Sequence, residues 1–181
     1  DFILYISKIN ENGSHLGAKS KCQGLDMLAL TRKTDYALVA LACLGKHFSA
    51  AGTGLASARK IASEYSLPLP LMRNVLKQLA QAEIVRSARG VRGGYSLAVD
   101  PHCLTVIQII DAMEGPFRFA PCVDGLPVVD QVCPIEHICP IREPIRRLHS
   151  SLRYFFGQLT LADLLAGKTQ VMLNPLTITN T

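Results

Sequence analysis

The sequence predicts a mainly α-helical chain with a small β wing, in which a winged helix-turn-helix domain is followed by a long C-terminal dimerisation helix. Three observations predict this fold. Two short helical patterns flank a proline-containing turn at 66–70, two short β patterns flank a glycine-rich segment at 90–94, and an unbroken apolar repeat runs from 141 to 159. The first two patterns are typical of a winged helix-turn-helix. The third is typical of a helix that packs along one face.

The composition indicates a globular protein. Of the 181 residues 49% are hydrophobic, and the mean hydropathy is +0.23. No apolar run approaches the roughly 20 residues that a membrane helix needs, and the short run at 2–6 is not followed by an export cleavage pattern. These features favour a cytoplasmic protein without a membrane partner. We expect residues 1–26 to be a disordered extension outside the native fold and residues 168–181 to be a flexible tail.

Residues 27–100 are predicted to form the DNA-binding domain. Its first helix begins at Thr31 or Thr34, and its second begins at Ser57 after a break at 45–54. The proline turn suits the first turn of a third helix over 71–82. The apolar positions of these helices recur three and four residues apart: Leu38, Leu41, Ala42, Leu44, Ile61, Leu71, Met72, Val75, Leu76 and Leu79.

Excess positive charge is confined to this domain. Residues 59–95 hold seven basic and two acidic residues, whereas the chain from residue 96 onward holds six basic and eight acidic residues. This asymmetry predicts a polyanion partner, with a solvated basic face as the alternative. The polar residues on the outward side of the third helix suit phosphates and base edges. They are Arg73, Asn74, Lys77 and Gln78.

Two strands, over 84–89 and 94–99, are predicted to form the wing. Its glycine-rich tip carries Arg89 and Arg92, which suit a minor groove or phosphates. An ordinary hairpin with solvated arginines is the alternative. We expect phosphate contacts from Arg59, Lys60, Lys77 and Arg92, and contributions to sequence choice from Arg73, Asn74 and Arg89.

A linking helix within 101–115 precedes a long loop at 116–140. The loop holds five prolines and three cysteines, Cys122, Cys133 and Cys139. A loop of this length is rare in a compact domain unless it has a function. Thiolates are soft ligands that suit iron–sulfur clusters or zinc, and thiols without metal are a third possibility. The other cysteines are interpreted as bystanders: Cys22, Cys43 and Cys103.

Residues 141–167 are predicted to form the dimerisation helix and a short closing helix. Pro144 is acceptable only near a helix start, so the long helix begins close to residue 141. Thr160 caps the closing helix, and Gly167 ends it. The long helix carries a heptad seam, which we expect to form a homodimer interface, with burial inside its own chain as the alternative. The seam is Ile141, Ile145, Leu148, Leu152, Phe155 and Leu159.

Four segments resemble a known family. They are 30–36 (LTRKTDY), 85–95 (VRSARGVRGGY), 107–115 (IQIIDAMEG) and 159–164 (LTLADL). Through them the chain resembles the IscR–NsrR family of winged helix-turn-helix regulators over 27–167, and it is most similar to regulators of the SUF iron–sulfur assembly system. The resemblance implies a homodimeric transcriptional regulator, a repressor, that binds an operator in double-stranded DNA.

In family members that carry an iron–sulfur cluster, three cysteines of the loop before the dimer helix bind it. The matching residues are Cys122, Cys133 and Cys139, with gaps of ten and five residues, whereas IscR and NsrR have five residues in both gaps. Where IscR has a histidine as fourth ligand, this chain has Arg142, which does not bind iron.

Some NsrR-like proteins use an acidic residue of the first helix, which reaches across from the partner subunit. The matching residue is Asp35. The resemblance therefore implies a 2Fe–2S or 4Fe–4S cluster with Asp35 as the fourth ligand. His137 is the alternative ligand, and a capping role at the helix start is the alternative for Asp35.

The sequence thus predicts a regulator whose operator affinity is controlled by an iron–sulfur cluster and which senses iron–sulfur status, oxidants or nitric oxide. The alternative is a metal-free or zinc-binding winged-helix regulator that responds to thiol oxidation or to a partner protein. An enzyme is not expected, because the five histidines form no recognisable nucleophile–base constellation. For the same reason no small-molecule substrate is expected.

Overall fold

The structure is a computed structural model that describes residues 30–48, 54–90, 93–120, 122–123, 133 and 135–167. The predictions for 1–26, Arg92 and 168–181 lie outside these residues. The helices are α1 (Arg32–Lys46), α2 (Ala58–Glu64), α3 (Leu69–Gln81), α4 (Val106–Glu114), α5 (Arg142–Gln158) and α6 (Leu161–Leu165), and the strands are β1 (Val85–Ala88) and β2 (Gly94–Leu97). None of these helices is long and apolar enough to span a bilayer.

Local signals account for the starts of the two helices of the helix-turn-helix. The hydroxyl of Ser57 accepts a hydrogen bond from the backbone N–H of Lys60 at 3.1 Å, which confirms Ser57 as the cap of α2. Helix α3 begins at Leu69, two residues before the predicted start. Pro70 lies in its first turn, where a missing backbone N–H leaves no bond unmade.

One main hydrophobic core is shared by helices α1, α2, α3, α4 and α6 and by the two strands of the wing. Two residues of α1 that were predicted to lie in the core, Leu38 and Ala42, are only half-buried. The buried face of α1 is centred on Ala37 and Ala40 instead. Leu71 of α3 is 42% exposed, contrary to the expectation that it faces the core. The largest fully buried side chains include Leu41, Leu44, Ile61, Met72, Val75, Leu76 and Leu79, as predicted.

The two strands pair antiparallel to form the wing. Val85 lies opposite Leu97, and Ala88 lies opposite Gly94. Ala56, just before α2, exchanges two backbone hydrogen bonds of 2.9 Å with Tyr95, so the segment before α2 is fastened to the wing. The wing therefore has a defined position relative to the helix-turn-helix.

Helices α4 and α6 begin side by side. Thr105 and Thr160 each form a capping box, with Gln108 and Asp163 respectively, which confirms Thr160 as the predicted cap. The backbone N–H of Val106 donates to the carbonyl of Leu159 at 2.8 Å. This pairing joins the end of the long helix to the start of the linking helix.

Helix α5 begins at Arg142, in agreement with the position of Pro144. The residue of α5 that is buried in the chain is His149, whose ring stacks on Phe117 with centroids 5.9 Å apart. The exposure of the predicted seam is higher at its start than at its end. Ile141 is 58% exposed, Leu148 is 42% exposed, and Leu159 is buried. The near half of the seam is thus open to solvent in one chain.

Gly94→Ala is expected to lower the free energy of unfolding by about 1–3 kcal/mol, the usual cost of overpacking. A Cβ atom at residue 94 would lie 2.8 Å from the carbonyl oxygen of Ala56, and backbone atoms cannot yield cheaply. Urea unfolding measures the change. Gly157→Ala in α5 is the matched control, because its Cβ would lie 3.8 Å from Ile107. Its stability should be unchanged or raised by up to about 1 kcal/mol; equal losses in both variants would contradict the prediction.

Candidate nucleic-acid interface and cysteine loop

Helix α3 has one face in the core and one in solvent. Met72, Val75, Leu76 and Leu79 are buried, whereas three of the four polar residues between them are exposed. Those residues are Arg73, Asn74 and Lys77, which sequence analysis assigned to DNA. An exposed polar helix after a tight turn has the geometry of a helix that enters a major groove.

The neighbouring basic residues are also solvent-exposed. Arg59 and Lys60 lie in the first turn of α2, and Arg89 directly follows β1 at the wing. Arg86 of β1 adds a further exposed guanidinium. The structure therefore leaves six of the seven predicted DNA-contacting residues in solvent, and the seventh, Arg92, lies outside the described residues.

Gln78 does not belong to this exposed face. Its side chain is half-buried, and its Nε2 donates to the carbonyl oxygens of Ala112 at 3.1 Å and Met113 at 3.2 Å. These carbonyls are among the last four of α4, which have no partner within their own helix. The expectation that Gln78 faces DNA is therefore wrong, because the side chain satisfies a helix end instead.

The carboxylate of Glu114 holds the start of α1. Its Oε1 accepts hydrogen bonds from the backbone N–H of Thr31 at 2.9 Å and from the Thr31 hydroxyl at 2.6 Å. The hydroxyl of the fully buried Thr34 donates to the same oxygen at 2.5 Å. Burial raises the pKa of Glu114, but these hydrogen bonds outweigh it and leave the pKa below its ordinary value.

Asp35, the predicted fourth ligand, lies beside this contact in the first turn of α1. It is exposed, and its pKa is raised, first by desolvation and then by the nearby charge of Glu114. Thr31 occupies the cap position of α1 without a side-chain cap bond, so its hydroxyl is committed to Glu114.

Asp111, one turn before Glu114, ties α5 and the start of the cysteine loop to α4. Its Oδ1 accepts from the backbone N–H of Phe117 at 2.7 Å, and its Oδ2 lies 3.1 Å from the guanidinium of Arg153. Arg153 also donates to the carbonyl of Phe117. The last turn of α4 thus contacts α1, α3, α5 and the loop.

The three loop cysteines are half-buried. Within the described part of the chain, no group of three or more His, Cys, Asp or Glu side chains stands close enough to hold a metal ion. The structure therefore does not bring Cys122, Cys133, Cys139 and Asp35 together in one chain. The implied role of Asp35 involves a partner subunit, so a single chain would not assemble that set.

The segment between the last two loop cysteines is attached to the start of α5. Glu136 forms an ion pair with Arg142 at 2.8 Å, and the backbone N–H of Arg142 donates to the carbonyl of Cys139 at 3.3 Å. His137, the alternative ligand, is exposed on the same turn. Arg142 thus orders the chain beside Cys139.

Cys43 differs from the loop cysteines. It is fully buried in the core, and burial raises the pKa of its thiol. A neutral thiol is a poor ligand and nucleophile, which agrees with its interpretation as a bystander. Cys103 is exposed in the turn before α4, and Cys22 lies outside the described residues.

The polar residues at the end of α4 were missed as a structural junction. Asp111 and Glu114 stand on a helix that is otherwise largely apolar, in the segment IQIIDAMEG. Two carboxylates beside a buried helix face indicate that each has a hydrogen-bond or ion-pair partner, because taking a charge out of water costs free energy unless it is paired. The sequence does not reveal that the partners are in α1 and α5.

Comparisons with known proteins agree with this architecture. The model of the Rrf2 family, described as iron-dependent transcriptional regulator, matches residues 30–167. The HTH-type transcriptional regulator NsrR of Bacillus subtilis is 28% identical over 148 residues, covering 80% of this chain and 95% of that protein.

Two solved structures are also similar. CymR, the global cysteine regulator of B. subtilis, superimposes with a TM-score of 0.58 at 26% identity, covering 77% of this chain and 98% of that one. IscR of T. potens does so with a TM-score of 0.56 at 28% identity, covering 77% and 88%. The relatives are transcriptional regulators.

Glu114→Gln is expected to lower the free energy of unfolding at pH 7 by roughly 1 kcal/mol. This is less than the roughly 1.5–3 kcal/mol that is usual for hydrogen bonds to a charged group, because Glu114 is partly solvated. The folded-state pKa is depressed, so the stabilisation is present above the ordinary value of 4.5 and is lost as the pH falls through the folded-state pKa. The difference between wild type and variant, measured by urea unfolding, should shrink towards pH 3.

Glu143→Gln is the matched control. Glu143 is an exposed carboxylate of α5 that lies 3.6 Å from Arg146 in an i,i+3 pair. Such a pair contributes only a few tenths of a kcal/mol, so its removal should change stability within about 0.5 kcal/mol at every pH. A Glu114→Gln difference that persists unchanged at low pH would argue against a role for its charge.

Proposed function

Because the chain belongs to the Rrf2 family of transcriptional regulators, we propose that it is a cytoplasmic, homodimeric repressor whose operator affinity is controlled by an iron–sulfur cluster on its cysteine loop. The chain is a regulator and not an enzyme, since its relatives are named transcriptional regulators. The family match supports a transcriptional regulator, and the homodimer, the repressor role, the cytoplasmic location, the cluster and its signal are the parts that we propose.

The exposed polar face of α3 carries the DNA-binding part of the proposal. Arg73, Asn74 and Lys77 point away from a fully packed core, so their orientation is fixed by the buried side of the same helix. We assign α3 as the recognition helix. Arg89 on the wing supplies a second contact, in the adjacent minor groove or on phosphates.

The open seam of α5 supports dimerisation. Ile141 and Leu148 are large apolar residues that are 58% and 42% exposed, and they lie seven residues apart on a helix with little burial of its own. A second copy of α5 would cover them by heptad packing. Pairing through α5 places one recognition helix on each side of a twofold axis, as a palindromic operator requires.

The cysteine loop supports the cluster part of the proposal through its donor chemistry. Three half-buried thiols are available, and two of them precede proline, as cluster-binding cysteines of ferredoxins do. Cys122, Cys133 and Cys139 would hold the cluster, with Asp35 of the partner subunit as fourth ligand. A bound cluster would supply redox chemistry that oxygen or nitric oxide can disrupt.

The chain's own residues would transmit the state of the loop. Phe117 at the start of the loop is bonded to Asp111, and Glu114 one turn later holds the first turn of α1 beside Asp35. An ordered loop would therefore favour one arrangement of α1 and α4. Regulation requires that the two states of the dimer differ in operator affinity.

A second candidate function is a thiol-responsive or zinc-binding regulator without an iron–sulfur cluster. It is favoured by the similarity to CymR, a cysteine regulator. In this alternative the loop cysteines would respond to oxidation, or to a partner protein, through the same contact between the loop and α4.

Lys77→Ala and Arg73→Ala are expected to weaken DNA binding in different ways. Loss of a phosphate contact at Lys77 should reduce the slope of log K against log salt by about 1 and affect all sequences alike. Loss of a base contact at Arg73 should cost about 1–3 kcal/mol and relax the preference at one position. Fluorescence anisotropy with duplexes that wild type selects from a random pool measures both.

Arg147→Ala is the matched control, because Arg147 is an exposed arginine of α5 outside the DNA-binding domain. The DNA affinity of Arg147→Ala, and its slope of log K against log salt, should equal those of wild type. Wild-type binding by Lys77→Ala and Arg73→Ala would show that α3 is not the recognition helix.

Cys133→Ala is expected to abolish the iron content and visible absorption of protein purified without oxygen, because three thiolates are needed to hold the cluster. Cys103→Ala should leave both unchanged, since Cys103 is an exposed cysteine outside the loop. Iron analysis and the ultraviolet–visible spectrum measure the result. Colourless wild type that cannot be reconstituted with iron and sulfide would reject the cluster and favour the second candidate.

A further inference from the structure

We infer that Gln78 is a positioning residue that fixes the recognition helix α3 against the last turn of α4 and thereby sets the spacing between the two recognition helices of a dimer. The inference deepens the proposed function and rests on it, since spacing has meaning only for a dimer that binds DNA. It concerns the orientation of α3, not a direct contact of Gln78 with a base.

The side-chain amide of Gln78 joins α3 to the end of α4. Its single Nε2 reaches the carbonyl oxygens of Ala112 and Met113, at 3.1 and 3.2 Å. Both carbonyls are left unbonded by the end of α4, so they need an outside donor. The amide has two N–H groups, enough to supply one to each carbonyl.

Gln78 lies next to the residues that would meet DNA. It follows Lys77 directly and stands one helical turn after Asn74, so a rotation of α3 that broke the amide contact would turn both residues. Leu79 and Met113 share the main core, but apolar contact is non-directional and permits sliding. Hydrogen bonds have a preferred direction, and those of Gln78 define the rotation of α3 relative to α4.

Helix α4 is in turn fastened to the proposed dimer helix. The carboxylate of Asp111 lies 3.1 Å from the guanidinium of Arg153 in α5. At the other end of α4, the backbone of Val106 is bonded to Leu159 just after α5. The angle between α3 and α4 therefore determines where each recognition helix lies relative to the twofold axis. Helix-turn-helix dimers depend on this, because their half-sites are about one turn of DNA apart.

The test uses two substitutions of opposite character at residue 78. Gln78→Glu has nearly the same shape but offers only acceptors to the two carbonyls, so it should break the contact. Gln78→Lys offers donors and a positive charge, which the carbonyl end of a helix favours, so it should keep the contact. Gln81→Glu and Gln81→Lys are matched controls for charge alone, because Gln81 is an exposed residue three positions later on α3.

The measurement is operator affinity as a function of half-site spacing. Duplexes selected by wild type from a random pool are lengthened or shortened at their centre by one and two base pairs, and Kd is measured for each. We expect Gln78→Glu to reduce the wild-type preference for the selected spacing roughly tenfold, about 1.4 kcal/mol. Gln78→Lys and both Gln81 variants should keep that preference.

Several outcomes would overturn the inference. If Gln78→Glu weakens every duplex by the same factor as Gln81→Glu, the amide does not set spacing. If Gln78→Lys loses the preference as Gln78→Glu does, donation to the carbonyls is not the cause. If Gln78→Glu changes the preferred base at one position and leaves the spacing preference intact, Gln78 is a direct DNA contact.

Amide hydrogen exchange tests the same link without DNA. Gln78→Glu should increase exchange over 109–115 at the end of α4, and Gln81→Glu should not. If wild type selects no sequence from the pool, the proposed function is wrong. The hydrogen-exchange measurement would still test the contact between α3 and α4, because it does not involve DNA. Exchange over 109–115 that is unchanged by Gln78→Glu would overturn the inference.

Discussion

The last turn of α4 is the constraint on which the described arrangement depends. A helix end leaves backbone carbonyls without partners in the helix, and the last turn of α4 also carries two carboxylates, Asp111 and Glu114. The carbonyls of Ala112 and Met113 are bonded by Gln78 of α3, Asp111 is paired with Arg153 of α5, and Glu114 is bonded to the start of α1. One turn of helix therefore sets the relative positions of three others, and a movement of α4 would affect all of them.

These contacts act by geometry more than by large energies. Asp111 and Arg153 are about one-third exposed, and partly solvated pairs contribute little to stability. Their hydrogen bonds are nevertheless directional, whereas the apolar core beneath them accepts small displacements. The core supplies most of the stabilisation, and the polar junction selects one arrangement of the helices.

The cysteines illustrate how location decides chemistry. Cys43 lies in the core, where burial raises the pKa of its thiol and keeps it neutral. The loop cysteines are half-buried, and the segment that carries Cys139 is joined to α5 through the Glu136–Arg142 ion pair. Asp35 lies in the first turn of α1, which the Thr31 and Thr34 contacts to Glu114 hold in place. Half-buried thiols and an exposed carboxylate on α1 are suited to a ligand shared between two chains, which is the arrangement that the family resemblance implies.

The sequence by itself determined local features: the caps of Ser57 and Thr160, the start of α5 near Pro144, and the exposure of Arg73, Asn74 and Lys77 on α3. Each depends on residues within one or two turns, so spacing and residue type are enough. The tertiary structure alone decided the roles of Gln78 and Glu114, whose partners are 34–35 and 80–83 residues away. A glutamine on the edge of a recognition helix looks the same in sequence whether it meets DNA or a helix end. Only the packing of α4 against α3 distinguishes the two, because it brings unbonded carbonyls within reach of the amide.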